Sequence, residues 1–212
     1  MADQNPFQTC QPHIEGNQHL RTPQREGYAS LAGFAGCGAA GREAAVVLPV
    51  GCGKSGLITL SPFAFRSVRT LVVAPYVKIA QQLENDFDPS NPGMFYQKCE
   101  VLQGGPFPEP VPIRGRTTNR SDLESADVAI TNIDQLQGDE NRWLSDLPPG
   151  FFDLILFDEG HHNVAASWQA LRDRFPDARI VSFSATPTRA DGRRMAGEVI
   201  YNYSVFRAIE EG

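Results

Sequence analysis

The chain has 212 residues, enough for one large domain or two small ones, and 41% of them are hydrophobic, enough to bury a core. No run approaches the roughly 18 apolar residues of a membrane span, the polar N-terminus carries no secretion signal, and the cysteines at 10, 37, 52 and 99 make neither a zinc pattern nor a disulfide framework. A cytoplasmic protein without a membrane partner is expected, and a net charge of −6 argues against gripping nucleic acid by bulk charge while leaving local contacts open.

Residues 1–19 read as a flexible leader, and the folded domain is expected over 20–212. The stretch 20–34 has helical spacing, with Leu20, Tyr28, Leu31 and Phe34 as apolar contacts. Short apolar runs follow at 45–48, 70–74, 127–130, 153–157 and 179–183. They show little polar alternation, as strands covered on both faces do. Predicted helices at 54–61, 77–87, 132–137 and 164–174 alternate with them. This order predicts an α/β fold with a central, mostly parallel sheet and helices on both faces. Residues 104–121 are rich in Pro, Gly and Arg and read as a long loop. Arg114, Arg116 and Arg120, with no acid over 111–121, suit a polyanion; an ordinary solvated loop is the alternative.

The stretch "VVLPVGCGKSGL" (46–57) halts an apolar strand at two glycines, a lysine and a serine. Gly51 and Gly53 let the backbone approach a ligand closely. Val50, Gly51, Cys52, Gly53, Lys54 and Ser55 would cradle phosphates with backbone N–H groups beside a helix N-terminus. Lys54 would reach the outer phosphates and Ser55 would offer its hydroxyl to Mg²⁺. The strict motif has glycine where this chain has Leu48, so a bare strand-to-helix turn stays open as an alternative.

"LILFDEGHH" (154–162) delivers Asp158 and Glu159 at a strand's carboxyl end, where ligands sit in open α/β sheets. The first carboxylate can hold Mg²⁺, and the second can polarise an attacking water. Two adjacent acids repel each other without a cation. A solvated acidic pair, or a direct metal cluster with His161 and His162, are the alternatives.

Together, "LPVGCGKS", "DEGH" and "SATPTR" (184–189) resemble superfamily 2 helicases and translocases of the DExH or DEAD/DEAH type. Within that superfamily the chain most resembles the motor subunits of restriction enzymes, type III Res subunits among them. The resemblance implies a RecA-like P-loop NTPase domain, the helicase ATP-binding domain, over 20–212. It implies ATP and Mg²⁺ as cofactors, with Lys54, Asp158 and Glu159 catalytic and Ser55 and Asp158 on the metal. "LRTPQREG" resembles the adenine-reading motif, so Gln24 and Arg21 would address the base. "SATPT" resembles the coupling motif, which assigns Ser184, Thr186 and His161 to transmission. Backbone contacts to DNA or RNA would come from Tyr76, Lys78, Gly104, Gly105 and Thr131.

The resemblance implies that arginines of a second RecA-like domain complete the site, and that domain is expected from a longer chain or a partner subunit. Such an arginine is worth about 10³–10⁵ in rate, and weak turnover by this domain alone is expected. A role in restriction or phage defence follows from the likeness. A nucleotide-binding sensor or assembly module without productive hydrolysis is the competing reading.

Overall fold

In the sheet at the centre of the molecule, Leu71 and Val73 face one side while Val72 and Ala74 face the other. Ile155 and Phe157 alternate with Leu154 and Leu156 in the same way. Side chains of a strand point to opposite faces with period 2, so an unbroken apolar run means both faces are covered. The computed structural model describes residues 5–37, 41–115, 119–136, 142–159, 165–186 and 197–210. Among them the strands are β1 (Glu43–Val47), β2 (Thr70–Ala74), β3 (Pro110–Pro112), β4 (Val128–Asn132), β5 (Leu154–Asp158), β6 (Arg179–Ser184) and β7 (Glu198–Asn202). They lie in the order β3-β4-β2-β5-β6-β1-β7, and every pairing is parallel.

The helices are α1 (Pro6–Thr9), α2 (Thr22–Gly36), α3 (Lys54–Phe65), α4 (Val77–Phe87), α5 (Phe95–Lys98), α6 (Arg120–Ser125), α7 (Arg142–Asp146), α8 (Ala165–Arg174) and α9 (Val205–Glu210). Helices α1 to α5 cover one face through Phe7, Leu31, Leu57, Leu83, Phe87 and Tyr96. Helices α6 to α8 cover the other through Leu123, Trp143, Leu144 and Leu171, with Phe175 just past the end of α8. The expected α/β architecture with helices on both faces is the one observed. No helix among the described residues is long and apolar enough to cross a membrane.

Three expectations are corrected. Residues 5–19 are not a loose leader. Asn5 caps α1 by accepting the Phe7 N–H, and Phe7 is buried edge-to-face on Phe63 at 4.9 Å. Asn17 Nδ2 donates to the His13 and Cys99 carbonyls. A buried phenylalanine is worth about 1.5–3 kcal/mol, and that anchors the segment. The loop at 104–121 contains β3 and leads into α6. Pro110 and Pro112 sit in a strand because β3 is at the sheet edge, where a missing N–H costs no inner ladder bond. The helix expected at 132–137 is a single 3₁₀ turn, Ile133–Leu136, after a longer β4.

Because all strands run the same way, their carboxyl ends share one edge. The segments after β1, β2, β4, β5 and β6 emerge there, and those segments hold most of the residues singled out by sequence.

Candidate active site

The phosphate-type loop begins where β1 ends. Leu48 N–H still donates to the Ser184 carbonyl at 2.9 Å, so the sheet ladder runs one residue past β1 before the chain turns. Gly51 and Gly53 have φ of +86° and +85°, the left-handed region open to glycine. Gly53 is the residue that caps α3, and Lys54 is the first residue of that helix. A Cβ on Gly53 would lie 2.6 Å from Gln24 Nε2. The loop therefore needs glycine there for both conformation and space. Ser55 follows in the first turn of α3, with its N–H groups at the positive end of the helix dipole.

The acids approach this loop across β6, the strand between β1 and β5. Asp158 ends β5 and is buried; its Oδ1 lies 3.0 Å from Lys54 Nζ. Glu159 also pairs with Lys54, from a backbone with φ of 52°. A non-glycine residue held there is strained. The loop cation and both carboxylates thus meet in one small volume.

Gln24, in the first turn of α2, is buried and braces the loop. Its Oε1 accepts the Arg21 N–H at 2.9 Å, and its Nε2 donates to the Gly53 carbonyl at 3.0 Å. One amide hydrogen and one oxygen lone pair are left for a ligand. Arg21 Nη1 donates to the Gly51 carbonyl. Beside them lies a cavity of about 320 Å³ lined by Leu20, Arg21, Pro23, Arg25, Cys52 and Tyr203, among others. Tyr203, Arg25 and the close neighbour Gly56 escaped the sequence reading. Tyr203 is placed by β7, whose pairing with β1 carries the Tyr203 N–H to the Val47 carbonyl at 3.0 Å. An aromatic after a short apolar run was the available signal. Val50 is almost fully exposed at the loop's tip.

Ser184 is buried at the end of β6, and its Oγ accepts the Thr186 N–H at 3.1 Å, a local turn beside Asp158. His161 and His162 lie outside the described residues. Among the described residues no group of three or more His, Cys, Asp or Glu side chains could hold a metal ion.

The expected nucleic-acid set divides. Tyr76 and Lys78 are exposed where β2 leads into α4, at the same edge as the loop. Thr131 is 1% exposed, inside β4 between β3 and β2, at the floor of a small cleft that Ile113, Arg114 and Asn132 also line. Gly104 and Gly105 sit at the wrong edge. They precede β3, and Pro106 shares a cavity with Arg69 and Asp127, which precede β2 and β4. Of the three loop arginines, Arg114 follows β3 at the loop's edge and pairs with Glu84, Arg120 pairs with Glu124 at 2.7 Å, and Arg116 lies outside the described residues.

Known proteins resemble this chain over most of its length. The family model described as "Type III restriction enzyme, res subunit" matches residues 17–189. The DNA 3′-5′ translocase XPB2 of Sulfurisphaera tokodaii is 26% identical over 171 residues, 76% of this chain and 32% of that protein. The type I restriction enzyme EcoAI endonuclease subunit of Escherichia coli is 30% identical over 80 residues, 35% of this chain and 10% of that one. The chain thus spans about a third or less of the length of these relatives. Among solved structures, the Sulfolobus solfataricus SWI2/SNF2 ATPase core in complex with dsDNA superposes with a TM-score of 0.55 at 17% identity, over 84% of this chain and 34% of that one. A nuclease-deletion mutant of the type ISP restriction-modification enzyme LlaGI, in complex with a DNA substrate mimic, gives 0.59 at 14%, over 91% and 20%. At such identities these structures speak for the RecA-like fold alone. With the family model spanning most of the chain, the protein belongs to the type III restriction enzyme res-subunit family, as a superfamily 2 helicase-like restriction-motor domain.

Proposed function

We propose that this domain is the ATP-binding half of a nucleic-acid-dependent ATPase that moves on or remodels DNA or RNA together with a second RecA-like domain. The observation that carries the reading is the meeting of Lys54 with Asp158 and Glu159 at the head of α3. A loop cation held by two acids is the arrangement a nucleotide–metal complex would replace: phosphate for the acids' hold on Lys54, metal for Lys54's hold on the acids.

In this reading the backbone N–H groups of 50–55 bind phosphate oxygens and Lys54 neutralises the outer ones. The cavity beside Cys52 receives the base, with Arg21 and Tyr203 in its lining and Gln24, next in the chain to the lining residue Pro23, reading the base's edge. Ser55 and Asp158 are the residues that would hold Mg²⁺. Bound there, the metal would neutralise phosphate charge. Glu159 orients and deprotonates the attacking water. Ser184, Thr186 and His161 relay the nucleotide state to the partner domain. Tyr76 and Lys78 touch the nucleic-acid backbone, Lys78 as a point charge and Tyr76 as a stacking surface. Restriction or phage defence is the biological setting that the family suggests.

The test combines calorimetry of ATP–Mg²⁺ binding with hydrolysis assays, with and without single- and double-stranded DNA or RNA. Glu159→Gln is expected to keep ATP binding and lose about 10²–10⁴ of the hydrolysis rate. Equal hydrolysis by both proteins would instead select a nucleotide-binding sensor or assembly module. No uptake of adenine nucleotide would end both readings.

A further inference from the structure

Arg114 and Glu84 form an ion pair that serves neither the proposed nucleotide site nor the fold's core. Glu84 lies on α4, and Val77, Ala80 and Glu84 fall at i, i+3 and i+7, on one helical face. That face closes a cleft of about 160 Å³ against Ile113, Arg114 and Asn132 at the carboxyl ends of β3 and β4. Arg114 is held in place from behind. The next residue, Gly115, has φ of +69°, and its N–H donates to Gln135 Oε1 on the 3₁₀ turn. The guanidinium side chain stays 57% exposed, at the same edge as Tyr76 and Lys78.

Glu84 is badly placed for helix stability. It sits in the last turn of α4, where the helix dipole disfavours a carboxylate. Exposed ion pairs also contribute little to folding. What the carboxylate does do is occupy Nη2 of Arg114, a charged donor that a phosphodiester oxygen could take instead.

We propose that Arg114 is a nucleic-acid backbone contact gated by Glu84. Without nucleic acid the carboxylate holds the guanidinium. A phosphodiester entering along the edge past Lys78 takes its place and frees Glu84 to water. Glu84 thereby sets how strongly and how selectively the domain holds a strand. The gate rests on the nucleic-acid half of the proposed function.

The experiment is fluorescence anisotropy of the whole chain with a labelled single-stranded oligonucleotide and with a duplex, over a salt series. Glu84→Gln is expected to tighten binding about two- to five-fold, the range an exposed pair allows. Arg114→Gln is expected to weaken it and to flatten the slope of log K against log salt by about 0.7 for a single strand or 0.9 for a duplex. Arg114→Lys should retain most of that slope. Adding Glu84→Gln to Arg114→Gln should change nothing further. Identical affinities for Glu84→Gln and wild type overturn the gate, as does a tightening that persists undiminished without Arg114, since that is only a general charge effect. If wild type binds no polynucleotide, the nucleic-acid half of the proposed function falls and the gate falls with it. Thermal melts that match wild type show that the variants are folded.

Discussion

Lys54 Nζ lies 3.0 Å from Asp158 Oδ1, joining the first residue of α3 to the last of β5 across the end of β6. Asp158 is buried, and Glu159 shares the same ammonium. Removing one partner of a buried pair leaves the other charge uncompensated. Lys54→Ala therefore leaves two adjacent carboxylates facing each other with no cation. Its melting temperature is expected to fall by several degrees without ligand, a cost on the order of 1–3 kcal/mol. Millimolar Mg²⁺ should recover more of this loss than it adds to wild type, because a divalent ion can stand between the acids. Equal Mg²⁺ effects on the two proteins would mean that the carboxylates do not converge in solution.

Three glycines near this pair make a graded test. Gly51 has open space where a methyl would stand but a φ of +86°, so Gly51→Ala costs backbone strain alone, about 1–2 kcal/mol. Gly56 has ordinary helical backbone, but a methyl there would lie 2.2 Å from Gln24 Nε2 and 2.4 Å from Phe95 Cε2. Gly56→Ala therefore costs overpacking, about 1–3 kcal/mol, and pushes Gln24 off the loop. Gly53→Ala combines both faults. Chemical denaturation should rank Gly53→Ala as the most damaging, and nucleotide affinity should fall furthest for it. A Gly53→Ala protein as stable as Gly51→Ala would contradict the observed contact with Gln24.

The parts of this site legible in the sequence are those where one residue's chemistry dictates its neighbours' conformation. Gly51 and Gly53 announce positive φ, and the all-apolar β5 announces a buried strand whose end must present Asp158. Phe7 was illegible because a single apolar residue among polar ones has no period. β3 was hidden by its prolines, which signal a break everywhere except at a sheet edge. Gly104 and Gly105 entered by resemblance to a backbone-contacting motif, and the likeness of two glycines does not say at which end of a strand they fall. Thr131 belonged to the strand rather than to the loop after it, a boundary that propensity cannot fix. Pairings such as Arg114 with Glu84 join residues 30 apart and follow only from the packing of α4 on the sheet.

Glu26 on α2 receives both Nη atoms of Arg207, each at 3.0 Å, and the Tyr201 hydroxyl at 2.8 Å. The hydrogen bond from Arg207 is the main cause holding the Glu26 carboxyl below its usual 4.5, against the opposing effect of burial. A lowered folded pKa means the stabilisation is present above pH 4.5 and is lost as pH falls through the folded value. Glu26→Gln is expected to lower stability at pH 7 by up to about 1 kcal/mol, since the pair is partly exposed. The difference from wild type should vanish in strong acid. Because Tyr203 and Ala208 wall the cavity beside Cys52, loosening β7 and α9 should also weaken ATP binding a few-fold. Thermal melts at both pH values and a nucleotide titration at pH 7 check this. A Glu26→Gln protein with unchanged stability at pH 7 would show that the bidentate contact does not tie α9 to α2.

Asp86, in the last turn of α4, shows the opposite sign. Burial pushes its carboxyl up from the usual 3.8 to about 6, only partly offset by the charge of Lys98. The folded state therefore holds the proton more tightly than the unfolded one, so stability declines as pH rises from about 4 to 6 and stays reduced above that. Asp86→Asn removes the titration. It is expected to melt higher than wild type at pH 8, by a few degrees at most given the group's partial exposure. That advantage should shrink steadily as pH falls from 6 and disappear near 4. A constant advantage at every pH would trace the effect to the amide's hydrogen bonds instead, and a destabilised Asp86→Asn at pH 8 would mean that the ionised carboxylate is paired in solution.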